Sequence, residues 1–212
     1  MRAIVLTLVV LILAGCGGDG RDGDESTAEG CADVEAPAAK ADAGATKPTA
    51  LLDETVTYTL VFETSCGDFE ITLDQETAPD TAASLVALAK SGFYDDTTFH
   101  RVVPGFVIQG GDPTGTGSGG PGYSTVDVPP SGAAYTRGVV AMAKTQTEPP
   151  GTSGSQFFVV TAEDAPLPAE YAMVGEVTQG YDTVERIEAL GDVATEQPSQ
   201  PVVIERVTVR ES

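Results

Sequence analysis

Residues 99–112 read FHRVVPGFVIQGGD and contain two short β-like runs, 99–103 and 106–109, on either side of Pro104 and Gly105. Proline and glycine interrupt strands and favour turns, so this stretch predicts two short strands joined by a turn. A glycine-rich stretch, residues 110–122, follows directly and contains the spacing GxGxxG. Pro121 and a polar, proline-rich continuation replace the helix that a dinucleotide loop must open. We therefore interpret this stretch as a surface loop.

Working outward, similar β-like runs occur at residues 56–63, 69–73, 139–143, 156–160, 172–177 and 202–209. Helical patterns occur only twice, at residues 79–90 and 181–190. About eight short strands with two helices predict a mainly β domain. Closure of the sheet into an antiparallel barrel would remove the exposed edges of so many strands.

Composition excludes several classes of function. Asp and Glu number 32 against 11 Lys and Arg, giving a formal net charge of −21, which disfavours nucleic acid as a partner. The three cysteines form no CxxC pair and His100 is the sole histidine, so the usual zinc ligand sets are missing and we expect no metal. A hydrolase nucleophile motif of the form GxSxG is also missing.

The N-terminus carries an export pattern. Arg2 precedes an apolar run over residues 4–13, which is the length of a signal-peptide core. Leu13-Ala14-Gly15-Cys16 resembles the bacterial lipobox, which implies a signal peptide at residues 1–15 and lipidation of Cys16. The prediction is an extracytoplasmic protein, lipid-anchored to the bacterial cell membrane. An ordinary secretory signal followed by an incidental cysteine is the alternative.

Residues 16–54 form the predicted lipidated N-terminus and a disordered acidic tether, because they contain few large apolar side chains. The folded domain is predicted at residues 55–212. Cys31 lies in the tether and Cys66 just inside the domain, in a compartment where disulfides persist. A bridge between them would pin the second half of the tether to the domain, and two free thiols are the alternative.

The stretch 99–112 closely resembles the signature of the cyclophilin family of peptidyl-prolyl isomerases. The resemblance continues through Gly138-Val139-Val140-Ala141-Met142-Ala143, Gly154-Ser155-Gln156-Phe157-Phe158 and Tyr171-Ala172-Met173-Val174-Gly175, and covers roughly residues 58–209. It implies a closed eight-stranded antiparallel barrel capped by two helices. It also implies catalysis of X-Pro isomerisation without a cofactor.

The resemblance assigns roles by motif position. Arg101 matches the catalytic arginine, with Phe106 and Gln109 as its catalytic neighbours. The proline ring would be received by an apolar wall, and the flanking peptide by a groove. The wall comprises Phe106, Val107, Phe158 and Leu167; the groove comprises Gln109, Ala143 and Gln156; and Tyr171 stands where many members carry histidine. Phe157 is assigned to the core, because adjacent strand residues face opposite sides.

The expected partners are proline-containing segments of unfolded or exported proteins, bound by a monomer. A proline-segment binding module or chaperone with little turnover is the alternative function. Pro166 stands where cyclosporin-sensitive members have tryptophan, which predicts weak cyclosporin binding.

Overall fold

A computed structural model describes residues 30–212 of the chain. The predicted signal peptide at residues 1–15, the predicted lipidation site Cys16 and the first part of the predicted tether lie outside the described residues. Within residues 30–212, neither helix is long and apolar enough to cross a membrane.

The fold is mainly β, as the sequence predicts. The strands are β1 Tyr58–Thr64, β2 Gly67–Leu73, β3 Thr97–Thr98, β4 Arg101–Val103, β5 Val107–Gly110, β6 Thr125–Val126, β7 Tyr135–Thr136, β8 Val139–Met142, β9 Thr152–Ser153, β10 Phe157–Val160, β11 Asp164–Ala165, β12 Met173–Gln179 and β13 Val203–Glu211. The helices are α1 Pro79–Lys90 and α2 Tyr181–Ala189. The longer strands and both helices coincide with the predicted runs, whereas the two-residue strands carry too short a pattern to be found in the sequence.

Nine strands form one curled antiparallel sheet in the order β3-β13-β1-β2-β12-β8-β10-β5-β4. The prediction of a closed eight-stranded barrel is wrong, because the sheet is a half-barrel whose edge strands β3 and β4 do not pair with each other in the described chain. Phe99 and His100 separate these two strands along the chain. The two edges are thus joined by the backbone itself and have no ladder of hydrogen bonds between them.

The main core is rich in aromatic side chains. The rings of Phe62 and Phe69 stack with centroids 4.8 Å apart, and Phe99 meets Phe157 edge to face at 6.0 Å. Helix α1 contributes apolar side chains such as Leu88 to the same core, and helix α2 contributes its own buried face. Burial of these aromatic and aliphatic groups is the main source of stability for the sheet.

A second, smaller apolar cluster lies apart from this core. It contains Val107, Tyr135, Ala141, Phe158, Val160 and Ala165. Phe157 belongs to the main core and Phe158 to this second cluster, as the alternation of strand side chains predicts. The second cluster provides the apolar floor of the pocket described below.

Residues 31–47, termed the strap here, contain no helix or strand but lie against the domain. The Lys40 ammonium donates hydrogen bonds to the carbonyl oxygens of Gly92, Phe93 and Asp95 at 2.8 to 3.0 Å. The Ala43 amide donates to the carbonyl oxygen of Gly120 at 3.0 Å. These contacts differ from the flexible coil expected for this part of the tether, because backbone and lysine donors replace the missing apolar side chains.

A disulfide joins Cys31 to Cys66 and fixes the start of the strap. The Ala32 amide beside it donates to the Ser65 carbonyl oxygen at 2.7 Å. Cys66 is buried in the main core, and Cys31 packs against it. The strap is therefore held at one end by a covalent bond and further along by Lys40 and Ala43.

Candidate active site

Three adjacent strands bring the predicted site residues together. Arg101 in β4 lies directly opposite Gln109 in β5, and Gln109 lies opposite Phe158 in β10. Facing residues in antiparallel strands share one side of the sheet. Pairing of β4, β5 and β10 thus sets an arginine, a glutamine and a phenylalanine in one row.

This row borders a cavity of about 210 Å³. The cavity is lined by Arg101, Phe106, Val107, Gln109, Ala143, Lys144, Phe158, Leu167 and Tyr171. Eight of the nine residues predicted for catalysis and substrate binding therefore surround one space, and Lys144 joins them. Val107 and Phe158 are buried beneath the cavity and give it an apolar floor.

The Arg101 side chain lies at the edge of the cavity and is 33% exposed. Its Nε donates to Oε2 of Glu196 at 2.7 Å, and its Nη1 reaches Oε1 of Gln109 at 3.4 Å. The guanidinium carbon is 5.9 Å from the centroid of the Phe106 ring. The guanidinium is therefore held by one carboxylate and one amide, with Nη2 left unpaired among the described residues.

A chain of amide groups continues from the arginine. Nε2 of Gln109 donates to Oε1 of Gln156 at 3.0 Å, and Nε2 of Gln156 donates to the carbonyl oxygen of Gly119 at 2.9 Å. Each amide has one oxygen acceptor and one nitrogen donor, so this chain fixes the orientation of both glutamines. Gln109 consequently presents its oxygen to Arg101.

Gln156 does not line this first cavity. It lines a second, larger cavity of about 460 Å³ beside the first. Gln109, Ala143 and Lys144 border both spaces, so the two cavities are adjacent. Asp42 and Ala43 of the strap line the second cavity as well. Sequence reasoning did not assign the strap to the site, because no local pattern connects it to the glycine-rich loop.

Tyr171 closes another side of the first cavity. Its ring meets Phe158 edge to face with centroids 5.6 Å apart and meets Tyr135 at 6.0 Å. The Tyr135 hydroxyl donates to the carbonyl oxygen of Tyr171 at 2.8 Å and accepts from its amide at 3.0 Å. Burial raises the pKa of Tyr135 despite these hydrogen bonds. Tyr135 thus positions Tyr171. This role could not be predicted from the sequence, because Tyr135 lies in a two-residue strand that carries no recognisable pattern.

Lys144 is the other residue that sequence reasoning left out of the pocket. Its side chain is only 2% exposed, and its Nζ lies 3.1 Å from Oε2 of Glu170 and 5.5 Å from the centroid of the Tyr171 ring. A buried ammonium requires such partners, because an unpaired charge in the interior is costly. Its position directly after Ala143, which ends one of the matched motifs, was the sequence signal that could have placed Lys144 at the pocket.

His100 lies outside both cavities, close to Gly117 in the glycine-rich loop. Its two ring nitrogens are buried and have no hydrogen-bond partner among the described residues. Burial lowers the pKa of His100, and the nearby Asp112 carboxylate opposes this effect only in part. Within residues 30–212, no group of three or more His, Cys, Asp or Glu side chains is arranged to hold a metal ion.

Comparison with known proteins identifies the family to which this fold belongs. The family model described as cyclophilin type peptidyl-prolyl cis-trans isomerase matches residues 59–209. The chain belongs to this family and is a peptidyl-prolyl cis-trans isomerase.

Named relatives agree with this assignment. The chain is 38% identical to the probable peptidyl-prolyl cis-trans isomerase A of Mycobacterium leprae over 71% of its length and 91% of the relative's. It is 39% identical to peptidyl-prolyl cis-trans isomerase A of Mycobacterium tuberculosis, over 72% of its length and 92% of the relative's. A crystal structure of a cyclophilin type isomerase from Cryptosporidium parvum has a TM-score of 0.67 at 31% identity, covering 74% of this chain and 99% of that one.

Proposed function

We propose that Arg101 catalyses the isomerisation by donating a hydrogen bond to the prolyl nitrogen while the X-Pro bond twists above the apolar pocket. The observation that carries this proposal is the position of the Arg101 guanidinium at the edge of the cavity floored by Val107 and Phe158. A guanidinium keeps its protons at any working pH and is therefore a permanent donor.

The chemistry explains why a donor and an apolar wall suffice. Rotation about the peptide bond destroys amide resonance and has a barrier of about 18–20 kcal/mol. In the twisted transition state the nitrogen lone pair is localised, so the nitrogen accepts a hydrogen bond that the planar ground state cannot accept. The bond is also less dipolar at that point, and an apolar floor favours it over the planar amide.

The pocket supports a role for each neighbouring residue. Phe106, Val107, Phe158 and Leu167 would receive the proline ring, while Gln109 and Ala143 would contact the peptide backbone. Gln156 and the second cavity would accommodate residues flanking the proline, since the two spaces share Gln109, Ala143 and Lys144 as lining residues. A crystal structure of the Cryptosporidium parvum isomerase was determined in the presence of the dipeptide Ala-Pro, which supports a proline-containing peptide as the ligand.

The decisive experiment is a protease-coupled isomerisation assay on an Ala-Pro peptide with Arg101→Ala and Arg101→Lys. A hydrogen bond to a charged donor is worth roughly 1.5–3 kcal/mol, so kcat/KM should fall about 10- to 100-fold in both variants. Lysine should not rescue the rate, because it lacks the planar geometry of the guanidinium.

Arg137→Ala is the matched control, since Arg137 pairs with Glu185 and stacks on Tyr181 without lining either cavity. Full activity of Arg101→Ala would refute the proposed mechanism. Tight peptide binding by the unaltered protein without measurable turnover would favour the alternative, a proline-segment binding module.

We further propose that the enzyme acts on exported proteins from a lipid anchor at Cys16. The apolar run of residues 4–13, the Leu13-Ala14-Gly15-Cys16 motif and the Cys31–Cys66 disulfide support this location, since disulfides persist in oxidising compartments. Two or more acyl chains hold a protein stably at a membrane.

Metabolic labelling with palmitate tests the anchor. The unaltered protein should incorporate label and sediment with membranes, and Cys16→Ala should lose both properties. Cys31→Ser combined with Cys66→Ser is the matched control, because it leaves Cys16 as the sole cysteine and keeps the lipobox intact. Unlabelled protein in the soluble fraction would contradict the anchor without affecting the proposal for Arg101.

A further inference from the structure

The Arg101–Glu196 ion pair joins two parts of the chain that are 95 residues apart. Glu196 lies in the connection between α2 and β13, and its Oε2 accepts from Nε of Arg101 at 2.7 Å. This contact occupies the Nε edge of the guanidinium. The remaining nitrogens are Nη1, which reaches Gln109 at 3.4 Å, and Nη2, which has no partner among the described residues.

The loop that carries Glu196 is held firmly by its own hydrogen bonds. Oδ1 of Asp192 accepts from the amides of Ala194 and Thr195 at 2.8 and 2.9 Å. The Glu196 amide donates to the Asp192 carbonyl oxygen at 2.7 Å, and the Glu196 carbonyl oxygen accepts from the Val102 amide at 2.9 Å. The last contact ties the backbone of Glu196 to that of Val102, next to Arg101, and so brings the carboxylate within reach of the guanidinium.

Glu196 also adopts a backbone conformation that is unfavourable for its residue type. Its φ angle is +58°, in the left-handed region where glycine and asparagine are the favoured residues. A glutamate at this position therefore costs stability that a glycine or asparagine would not. Such outliers are concentrated at functional sites, where the surrounding structure holds the strained backbone in place.

We propose that Glu196 is a positioning residue that fixes the guanidinium of Arg101 so that its Nη groups face the twisting prolyl bond. Without the carboxylate, Arg101 would sample more rotamers and spend less time in the productive one, because arginine has several rotatable bonds and large rotamer entropy. The pair is partly exposed, 33% for Arg101 and 49% for Glu196, so its strength is moderated by solvent. This inference rests on the proposed role of Arg101.

The test uses Glu196→Gln and Glu196→Asn in the full protein. Both variants should lower the isomerisation rate of a bound Ala-Pro peptide about 2- to 5-fold, while the dissociation constant of the peptide changes little. Glu196→Asn should at the same time keep or raise the unfolding midpoint, because asparagine tolerates the left-handed conformation. Glu185→Gln is the matched control, since it removes a carboxylate from another arginine pair outside both cavities.

A double-mutant cycle separates this inference from the proposed function. In the Arg101→Ala background, Glu196→Gln should have no further effect on the rate, because a positioning residue acts only through its partner. Unchanged rates in both Glu196 variants, or a parallel loss of rate and unfolding midpoint in Glu196→Asn, would overturn the positioning role. Full activity of Arg101→Ala would instead overturn the proposed function on which the inference rests.

Discussion

The Cys31–Cys66 disulfide should contribute strongly to stability. The bridge closes a loop with a sequence separation of 35 residues. In the loop-entropy model a closure of this length lowers the entropy of the unfolded chain and so raises its free energy by about 4 kcal/mol. Cys31→Ser combined with Cys66→Ser should therefore lower the free energy of unfolding by about 4 kcal/mol, or the melting temperature by roughly 8–16 °C for a domain of this size.

The measurement is urea denaturation of the unaltered and the doubly substituted protein, followed by far-UV circular dichroism. The double variant should also show a steeper dependence on urea, because an uncrosslinked chain exposes more surface when unfolded. Equal midpoints and equal slopes would refute the reasoning, since they would mean that the strap separates from the domain before the domain unfolds.

Lys40→Met is the matched variant for this experiment. It removes the hydrogen bonds to the carbonyl oxygens of Gly92, Phe93 and Asp95 but leaves the disulfide intact. Its stability should fall by about 1.5–3 kcal/mol with no change in the urea slope, because the unfolded chain stays crosslinked. A change of slope in this variant would show that the strap contacts, and not the bridge, control the unfolded state.

Two further predictions concern acid stability and inhibitor binding. Burial raises the pKa of Asp112, but hydrogen bonds from Thr114 and Gly117 outweigh burial and hold that pKa below its ordinary value of 3.8. The ionised Asp112 therefore stabilises the fold above about pH 4, and this stabilisation is lost as the pH falls through the lowered pKa. The unaltered protein should have a higher urea midpoint than Asp112→Asn at neutral pH, and the difference between the two midpoints should shrink on acidification. Cyclosporin should bind weakly and Pro166→Trp should strengthen its binding, as measured by calorimetry; tight binding by the unaltered protein would contradict this expectation.

Much of the fold could be predicted from local patterns. Alternation of apolar and polar residues locates the longer strands, and the run from Pro79 to Lys90 predicts a helix that the structure contains. Strands such as β6 and β9 could not be found, because two residues carry no periodicity. The open sheet was also missed, since the sequence does not reveal whether edge strands meet through hydrogen bonds or through the chain itself.

For the site, the matched motif predicted residues that the sheet brings around one cavity, and it placed Phe157 in the core and Phe158 on the other face. Lys144 and Tyr135 were missed as parts of the site. Their roles depend on Glu170 and Tyr171, which approach them only after the chain has folded. Short motifs record residues on one strand and contain no information about the neighbours that orient them.

The sequence by itself determined the strand and helix pattern, because apolar alternation and turn chemistry are local properties. The resemblance of its motifs to the cyclophilin family predicted the family and most of the residues that line the pocket. Only the tertiary structure decided that the strap lies against the glycine-rich loop and that Glu196 pairs with Arg101 across 95 residues. Contacts of this kind form when distant segments are brought together by burial of a common core. Their partners are set by the geometry of the folded chain.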